Sequence, residues 1–152
     1  MTAVSLIHAS CVVVGGVGVL IRGASGAGKS DLALRLIDAG ASLVADDYCE
    51  AEALAGRLVV RPPPAIAGKL EVRGFGIVDL AHLPSTTIGL IVDLVANTEI
   101  ERLPNLGPDP KKDGATVVIE GVRIAHLRLD PTHASAVAKV RLALKSSPRG
   151  IS

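Results

Sequence analysis

Apolar residues in this chain occur in short runs, and glycine-centred turns join several of these runs in pairs. The run Cys11–Val14 is separated from Val17–Arg22 by Gly15-Gly16 alone, and such a two-residue link between apolar runs predicts a β-hairpin. The pattern recurs in two later pairs: 51–54 with 58–61 across Ala55-Gly56, and 116–119 with 122–127 across Glu120-Gly121. It therefore predicts a sheet rich in antiparallel hairpins.

Two segments have the periodicity of helices. The first is predicted over 30–39, where apolar residues recur on one face and Gly40 follows as a stop signal. The second is predicted over about 132–145, directly after Asp130-Pro131, a pair typical of a helix start. The remaining predicted elements are strands over 4–8, 41–45 and 88–96 and proline-rich loops over 62–69 and 97–113. Together they predict an α/β fold with a mixed, hairpin-rich sheet and few helices.

Composition narrows the classes of function. The 152 residues carry a formal net charge of +1, and Tyr48 and Phe75 are the sole aromatic residues, so the basic footprint and stacking platforms of nucleic-acid-binding proteins are missing. This length suits one α/β domain, predicted over residues 1–152. The most apolar run, 11–21, is interrupted by glycines, and the N-terminus lacks a signal-peptide pattern. We expect a cytoplasmic protein with neither nucleic acid nor membrane as a partner.

The strongest chemical signal is the segment 23–30, which has the spacing G-x-x-x-x-G-K-[ST] of a phosphate-binding loop between a predicted strand and a predicted helix. Its glycines allow successive backbone N–H groups to turn toward a polyphosphate. Lys29 supplies a positive charge near the phosphates, and the Ser30 hydroxyl can bind Mg²⁺. The predicted nucleotide-binding residues are Gly23, Ala24, Ser25, Gly26, Ala27, Gly28, Lys29 and Ser30.

Carboxylates follow apolar strands at three places, any of which could face bound phosphates and Mg²⁺. They are Asp46-Asp47, Asp79 and Asp93, and spacing alone does not choose among them. We favour Asp46-Asp47, because the pair follows the loop helix directly and because adjacent carboxylates are costly without a cation to neutralise them. Asp93 is followed by more apolar residues, which favours a structural, hydrogen-bonded role.

A second unusual stretch is L-E-V-R-G-F-G-I-V-D at 70–79. It combines charged residues with two glycines, which is typical either of a functional segment or of a solvated turn between elements. The residues that define this signature segment are Glu71, Arg73, Gly74, Gly76 and Asp79.

Three features together resemble HPr kinase/phosphorylase, specifically its C-terminal catalytic domain: the hairpin before the loop, A-D-D after the loop helix, and the signature segment. The similarity runs from about His8 to Arg102, and the signature segment closely resembles the family's L-E-I-R-G-L-G-I-I-D. The resemblance implies a P-loop-containing kinase domain that transfers phosphate from Mg²⁺-bound ATP to a serine of HPr or an HPr-like phosphocarrier of the phosphotransferase system. It also implies phosphorolytic removal of that phosphate.

The resemblance further implies roles for individual residues. His8, in H-x₇-G-V-G-V-L-I, matches a functional histidine, and Lys29 matches the phosphate-contacting lysine. Asp46 and Asp47 match the acid/base carboxylates, with Asp47 favoured as the proton acceptor. Ser30 and Glu71 match the Mg²⁺ ligands, and Arg102, in Glu101-Arg102-Leu103, matches a catalytic arginine.

The chain departs from the family pattern at several positions. Ala24 stands where aspartate is common, Asp31 where glutamate is common, and Pro131-Thr132-His133 where the family has a G-R-N element implicated in dephosphorylation. The sequence begins a few residues before His8, so we expect a short form without the family's usual N-terminal domain. Homo-oligomerisation is expected from the resemblance, whereas phosphorolysis is supported by fewer matching residues than kinase activity.

Two alternatives remain. A small-metabolite kinase would need an arginine-rich lid, and no such segment is visible beyond Arg57, Arg61 and Arg73. A non-enzymatic nucleotide sensor would use the Asp46-Asp47 pair only to hold Mg²⁺. GTPase chemistry is disfavoured because the guanine-reading N-K-x-D motif is absent.

Overall fold

The structure is a computed structural model, and it describes residues 3–96 and 116–146. Nine strands form one mixed sheet: β1 Ser5–Ile7, β2 Ala9–Val14, β3 Val17–Arg22, β4 Ser42–Ala45, β5 Cys49–Leu54, β6 Arg57–Arg61, β9 Thr86–Leu94, β10 Thr116–Ile119 and β11 Val122–Leu129. A separate hairpin consists of β7 Lys69–Val72 and β8 Gly76–Asp79. The helices are α1 Lys29–Asp38, α2 Ala136–Ser146 and a 3-10 turn at Pro64–Ile66.

Strand β9 is the centre of the sheet. It pairs in parallel with β3 on one edge, while its other edge pairs first antiparallel with β6, at Thr86 and Thr87, and then in parallel with β11, from Leu90 to Leu94. Strands β3, β9 and β11 therefore end at the same edge of the sheet. This carboxyl edge is where open α/β sheets bind their ligands, and the phosphate-loop segment follows β3 there.

Alternate residues of the central strands are buried on opposite faces of the sheet. Val19 and Ile21 belong to a core with Leu32 and Leu36 of α1, whereas Leu20 packs into a second core with residues of β2, β4, β5, β6, β9 and β11. Because β3 is covered on both sides, its sequence is almost continuously apolar.

Most of the predicted elements agree with the structure, and the main difference is near the C-terminus. All three hairpins and α1 are confirmed, as is the fold class, with only two α-helices in the described ranges. The second predicted helix is wrong at its start, since α2 begins at Ala136 rather than at Thr132. The Asp130 carboxylate accepts hydrogen bonds from the Thr132 N–H and hydroxyl at 2.9 and 2.6 Å, and this local turn replaces the first helical turn.

Two other predictions need qualification. The stretch predicted as the loop 62–69 contains the 3-10 turn and ends at Lys69, where β7 begins. The predicted loop 97–113, with Arg102 in it, lies outside the described residues. No helix among those the structure describes is long and apolar enough to cross a membrane.

A charged cluster joins the ends of β3, β9 and β11. The Arg22 Nε and Nη2 atoms donate to the two Asp93 oxygens at 2.8 Å each, and His126 Nε2 lies 2.7 Å from Asp93 Oδ2. Burial alone would raise the pKa of Asp93, but the hydrogen bonds from His126 and Arg22 outweigh it and hold that pKa well below its usual range. Asp93 is thus a structural carboxylate, as its sequence context predicted.

Replacing Asp93 with asparagine should lower stability in a pH-dependent way. At pH 7 we expect a loss of about 2 kcal/mol, because Arg22 is left partly buried without its counter-charge. The folded-state pKa of Asp93 is depressed, so its contribution is fully present above the ordinary carboxyl pKa of about 4 and is lost as the pH falls toward the lower folded value. Urea denaturation should therefore show the wild-type advantage shrinking between about pH 5 and pH 2.

Asp79→Asn is the matched control. Asp79 Oδ1 pairs with Lys69 Nζ at 2.9 Å, but its side chain is 81% exposed, so its removal should cost less than about 1 kcal/mol. An Asp93→Asn deficit that stayed constant across the pH range would contradict the depressed pKa.

Candidate functional site

Glycines shape the turn between β3 and α1. Gly26 and Gly28 have φ values of 82° and 102°, in the left-handed region that side chains rarely adopt, and Gly28 directly precedes the first helical residue, Lys29. Gly23 is constrained for a different reason, because a Cβ there would lie 3.1 Å from the Ala27 Cβ and 3.2 Å from the Leu94 Cβ, so a neighbour would have to shift to admit it. The turn is therefore a compact cradle at a helix N-terminus, which favours anions.

Lys29 lies within this cradle rather than in solvent. The residue is 5% exposed, and its Nζ donates to the carbonyl oxygens of Gly23 at 2.9 Å and Ala24 at 3.2 Å. The loop backbone thus holds the ammonium group over the turn, where its positive charge adds to the partial charge of the helix N-terminus.

The Asp46 carboxylate, at the end of β4, is the most connected polar group of the site. Its Oδ1 accepts hydrogen bonds from the hydroxyls of Ser30 and Ser10, both at 2.7 Å, and its Oδ2 accepts the Glu71 N–H at 3.1 Å. Asp46 is only 5% exposed. Of the three candidate carboxylate positions, the favoured pair Asp46-Asp47 contacts the loop, because Asp46 accepts a hydrogen bond from Ser30. Asp79 instead pairs with Lys69.

Asp47 has a different environment from its neighbour. Its side chain is 52% exposed, and its Oδ1 lies 2.9 Å from His8 Nε2. The Asp47 backbone is left-handed, with φ 71°, and its N–H donates to the Ser10 hydroxyl at 3.0 Å. The His8 ring in turn stacks on Tyr48, with centroids 5.0 Å apart. One carboxylate is therefore buried and structural while the next is accessible and paired with a histidine.

The signature segment forms the β7–β8 hairpin. Gly74 and Gly76 supply its turn with φ values of 92° and 102°, and Leu70 is buried against α1 in the first core. Glu71 and Arg73 are exposed and line the same cleft as the phosphate-loop segment, whereas Asp79 is at the far end of the hairpin, beside Lys69. The end of β7 and the exposed turn after it thus form one wall of the cleft, through Glu71, Val72, Arg73 and Phe75.

This cleft has a volume of about 690 Å³. It is lined by residues 25–31, Leu34, Asp47, Glu71, Val72, Arg73, Phe75, Pro131 and Thr132. The cleft is thus large enough for a small ligand and brings together most of the site residues expected from the sequence. Arg102 lies outside the described residues.

The side chains around Ser30 suit a hard divalent cation. Ser30 and Glu71, which line the cleft, carry oxygen donors, the ligand type that Mg²⁺ prefers, and the Ser30 hydroxyl also donates to Asp46. The described parts of the chain hold no cluster of three or more histidine, cysteine or acidic residues that could bind a metal ion by themselves. The donor set therefore fits Mg²⁺, which commonly takes one or two protein oxygens and completes its shell with phosphates and water.

Ser10 is the site residue that the sequence did not indicate. It is fully buried on β2, where its hydroxyl links Asp46 to the Asp47 backbone. A single serine in an apolar strand carries little signal, and only the antiparallel pairing of β2 with β4 brings it to the acidic pair.

Comparisons with known proteins agree with the family that the sequence motifs indicate. The family profile described as "HPr Serine kinase C-terminal domain" matches residues 1–141. The HPr kinase/phosphorylase of Limosilactobacillus reuteri is 40% identical over 124 residues, which cover 76% of this chain and 38% of that protein. The HPr kinase/phosphorylase of Clostridium tetani is 40% identical over 110 residues, which cover 68% of this chain and 36% of that protein.

A solved structure is also similar. The Hpr(Ser) kinase/phosphatase from Coxiella burnetii matches with a TM-score of 0.77 and 26% identity over 93% of this chain and 94% of that one. The expected family and the P-loop kinase type of fold are thereby confirmed. The chain spans well under half the length of the curated relatives that it matches.

Replacing Ser10 with alanine should lower the stability of the protein by removing the hydroxyl that contacts Asp46 and Asp47. The change leaves the Asp47 N–H without its acceptor and removes one donor from Asp46, which together should lower the free energy of unfolding by about 1–3 kcal/mol. Ser42→Ala is the control, because Ser42 is exposed on β4, and it should change stability by less than about 0.5 kcal/mol. Equal stabilities of the two variants in urea denaturation would show that the Ser10 hydroxyl does not anchor the acidic pair.

Proposed function

The chain belongs to the family of HPr serine kinase C-terminal domains, and on this premise we propose that it transfers a phosphoryl group from ATP to a serine of HPr or an HPr-like phosphocarrier. The observation that carries the proposal is the position of Asp47. This accessible carboxylate lines the same cleft as the phosphate-binding loop and is held by His8 at 2.9 Å. A phosphate cradle and a candidate base therefore share one cavity, as phosphoryl transfer to a hydroxyl requires.

Asp47 would act as the general base. A serine hydroxyl is a poor nucleophile at neutral pH, so a carboxylate that orients it and accepts its proton assists transfer. His8 would hold the carboxylate in position, and the Ser10 hydroxyl would hold the backbone beneath it. The buried Asp46 is less suited to receive the substrate proton, because its oxygens already accept three hydrogen bonds.

The phosphate-binding residues would offset the charge of the transferred group. Lys29 would exchange its contacts with the loop carbonyls for contacts with phosphate oxygens, and the N–H groups of the loop would complete the cradle. Ser30 and Glu71 would hold Mg²⁺, and Asp46 would orient the Ser30 hydroxyl by accepting its hydrogen bond. Mg²⁺, when bound, would supply positive charge that offsets the negative charge of the phosphates. Arg102 is proposed as a further cation from the resemblance alone.

The reverse reaction would use the same residues. A protonated Asp47 would donate to the departing serine oxygen while inorganic phosphate accepts the phosphoryl group. The segment 131–133 replaces the family element associated with this direction, so we propose phosphorolysis as the weaker of the two activities. One domain over 1–152, a cytoplasmic location and homo-oligomerisation remain predictions.

The test is incubation of the purified chain with Mg-ATP and HPr-type phosphocarriers, with serine phosphorylation followed by intact mass. Asp47→Asn should keep nucleotide affinity within about twofold and lower the transfer rate by about 10²–10⁴-fold, the usual contribution of a general base. Lys29→Met should weaken nucleotide binding itself. Asp38→Asn makes the same chemical change at an exposed position at the end of α1 and should leave the rate unchanged.

The outcomes separate the alternatives. Full transfer by Asp47→Asn would remove Asp47 from the chemistry. Nucleotide binding by wild type without phosphorylation of any carrier would contradict the kinase and favour a nucleotide sensor. Adding inorganic phosphate to the phosphorylated carrier, with detection of pyrophosphate, tests the reverse direction.

A further inference from the structure

Arg35 on α1 contacts a turn that is distant in sequence. Its Nη1 donates to the Pro131 carbonyl oxygen at 2.6 Å and its Nη2 donates to the His133 carbonyl oxygen at 3.1 Å. The same side chain lies 3.7 Å from Asp31, one helical turn earlier. The rigid guanidinium fork thus joins the helix that follows the phosphate loop to the segment that precedes α2.

The segment 130–133, which we call the wall turn, is shaped by its own residues and by Arg35. The Asp130 carboxylate binds the Thr132 N–H and hydroxyl, and the His133 N–H donates to the Asp130 carbonyl at 3.3 Å. These bonds define the shape of the turn. The two bonds from Arg35 define its position, because they tie its carbonyl groups to α1.

The wall turn lies directly against the phosphate loop. A Cβ built on Gly28 would be 3.4 Å from Pro131 Cγ and 3.7 Å from Pro131 Cβ, which are van der Waals distances, so the proline lies next to this glycine of the loop. Pro131 and Thr132 line the same cleft of about 690 Å³ as residues 25–31. The position of the wall turn therefore sets the width of the cleft beside the loop.

We propose that Arg35 is a positioning residue for nucleotide binding, which holds the wall turn against the phosphate loop so that the cleft is preformed. The proposal rests on the nucleotide-binding function proposed above. Arg35 need not touch the nucleotide, because it acts through Pro131 and Thr132. A preformed cleft raises affinity, since the observed dissociation constant equals the intrinsic one divided by the fraction of molecules in the binding-competent state.

Arg35→Met should weaken Mg-ATP binding, measured by calorimetry, by about 5- to 30-fold, the effect of losing two charge-assisted hydrogen bonds that hold the competent state. The maximal transfer rate at saturating ATP should stay within about twofold, because the base and the lysine are untouched. Arg57→Met is the matched control at the exposed first residue of β6, and it should bind as wild type. Wild-type affinity in Arg35→Met would overturn the proposal.

Arg35→Lys separates positioning from charge. The lysine keeps the positive charge but lacks the planar fork that spans two carbonyl groups, so we expect affinity to remain at least about threefold below wild type. Wild-type affinity in Arg35→Lys with weak binding in Arg35→Met would assign the effect to charge alone and overturn the positioning role.

Amide hydrogen exchange measures directly how stably the wall turn is held. In Arg35→Met, the amides of Thr132, His133 and Ala136 should exchange about tenfold faster, while those in the middle of α1 should not change. Unchanged exchange at these three amides would refute the contact even if binding fell. Hydrogen exchange needs no nucleotide, so it tests the Arg35 contact even if the wild-type protein binds no Mg-ATP. Failure of the wild type to bind Mg-ATP would contradict the proposed function and not the contact.

Discussion

The site depends on one buried carboxylate. Asp46 joins four parts of the chain, since it directly follows β4, accepts hydrogen bonds from the hydroxyls of Ser10 on β2 and Ser30 on α1, and accepts one from the N–H of Glu71 on β7. A buried charge is tolerated only when hydrogen bonds replace its hydration, and these three donors do so. The charge of Asp46 also affects Cys49 in the second core. Burial is the larger cause and the Asp46 charge the smaller one, and together they raise the pKa of the Cys49 thiol to about 12.

The adjacent residues Asp46 and Asp47 have different roles, since Asp46 is buried and holds the site together while Asp47 is exposed and is the proposed base. Asp47 can be exposed and strained at φ 71° because the Ser10 hydroxyl binds its N–H, while Asp46 holds that hydroxyl in turn. Strain of this kind is found where surrounding contacts overdetermine the backbone, commonly at functional sites. The same arrangement turns the accessible carboxylate toward His8, so the proposed base and its orienting histidine depend on contacts beneath them.

Sequence reasoning succeeded where the deciding contacts are local. The hairpin across Gly15-Gly16 and the amphipathic pattern of α1 depend on neighbours within a few residues, and both were predicted to within a residue or two. It failed at the start of α2, because the residues there are compatible with two different local structures. Asp130 can cap a helix or close a turn on Thr132, and the structure has the turn.

By itself, the sequence determined the glycine-rich loop between β3 and α1, the hairpins around it and the acidic pair that follows, because spacing and turn residues specify these over short distances. Only the tertiary structure decided which carboxylate binds Ser30, that Ser10 lies beneath the pair, and that Arg35 contacts Pro131, 96 residues away in the chain. Such contacts depend on which strands pair and which faces pack, and no local pattern in a single sequence indicates them. The physical reason is that burial stabilises the sheet as a whole, and the partners of each polar group follow from where that sheet brings them.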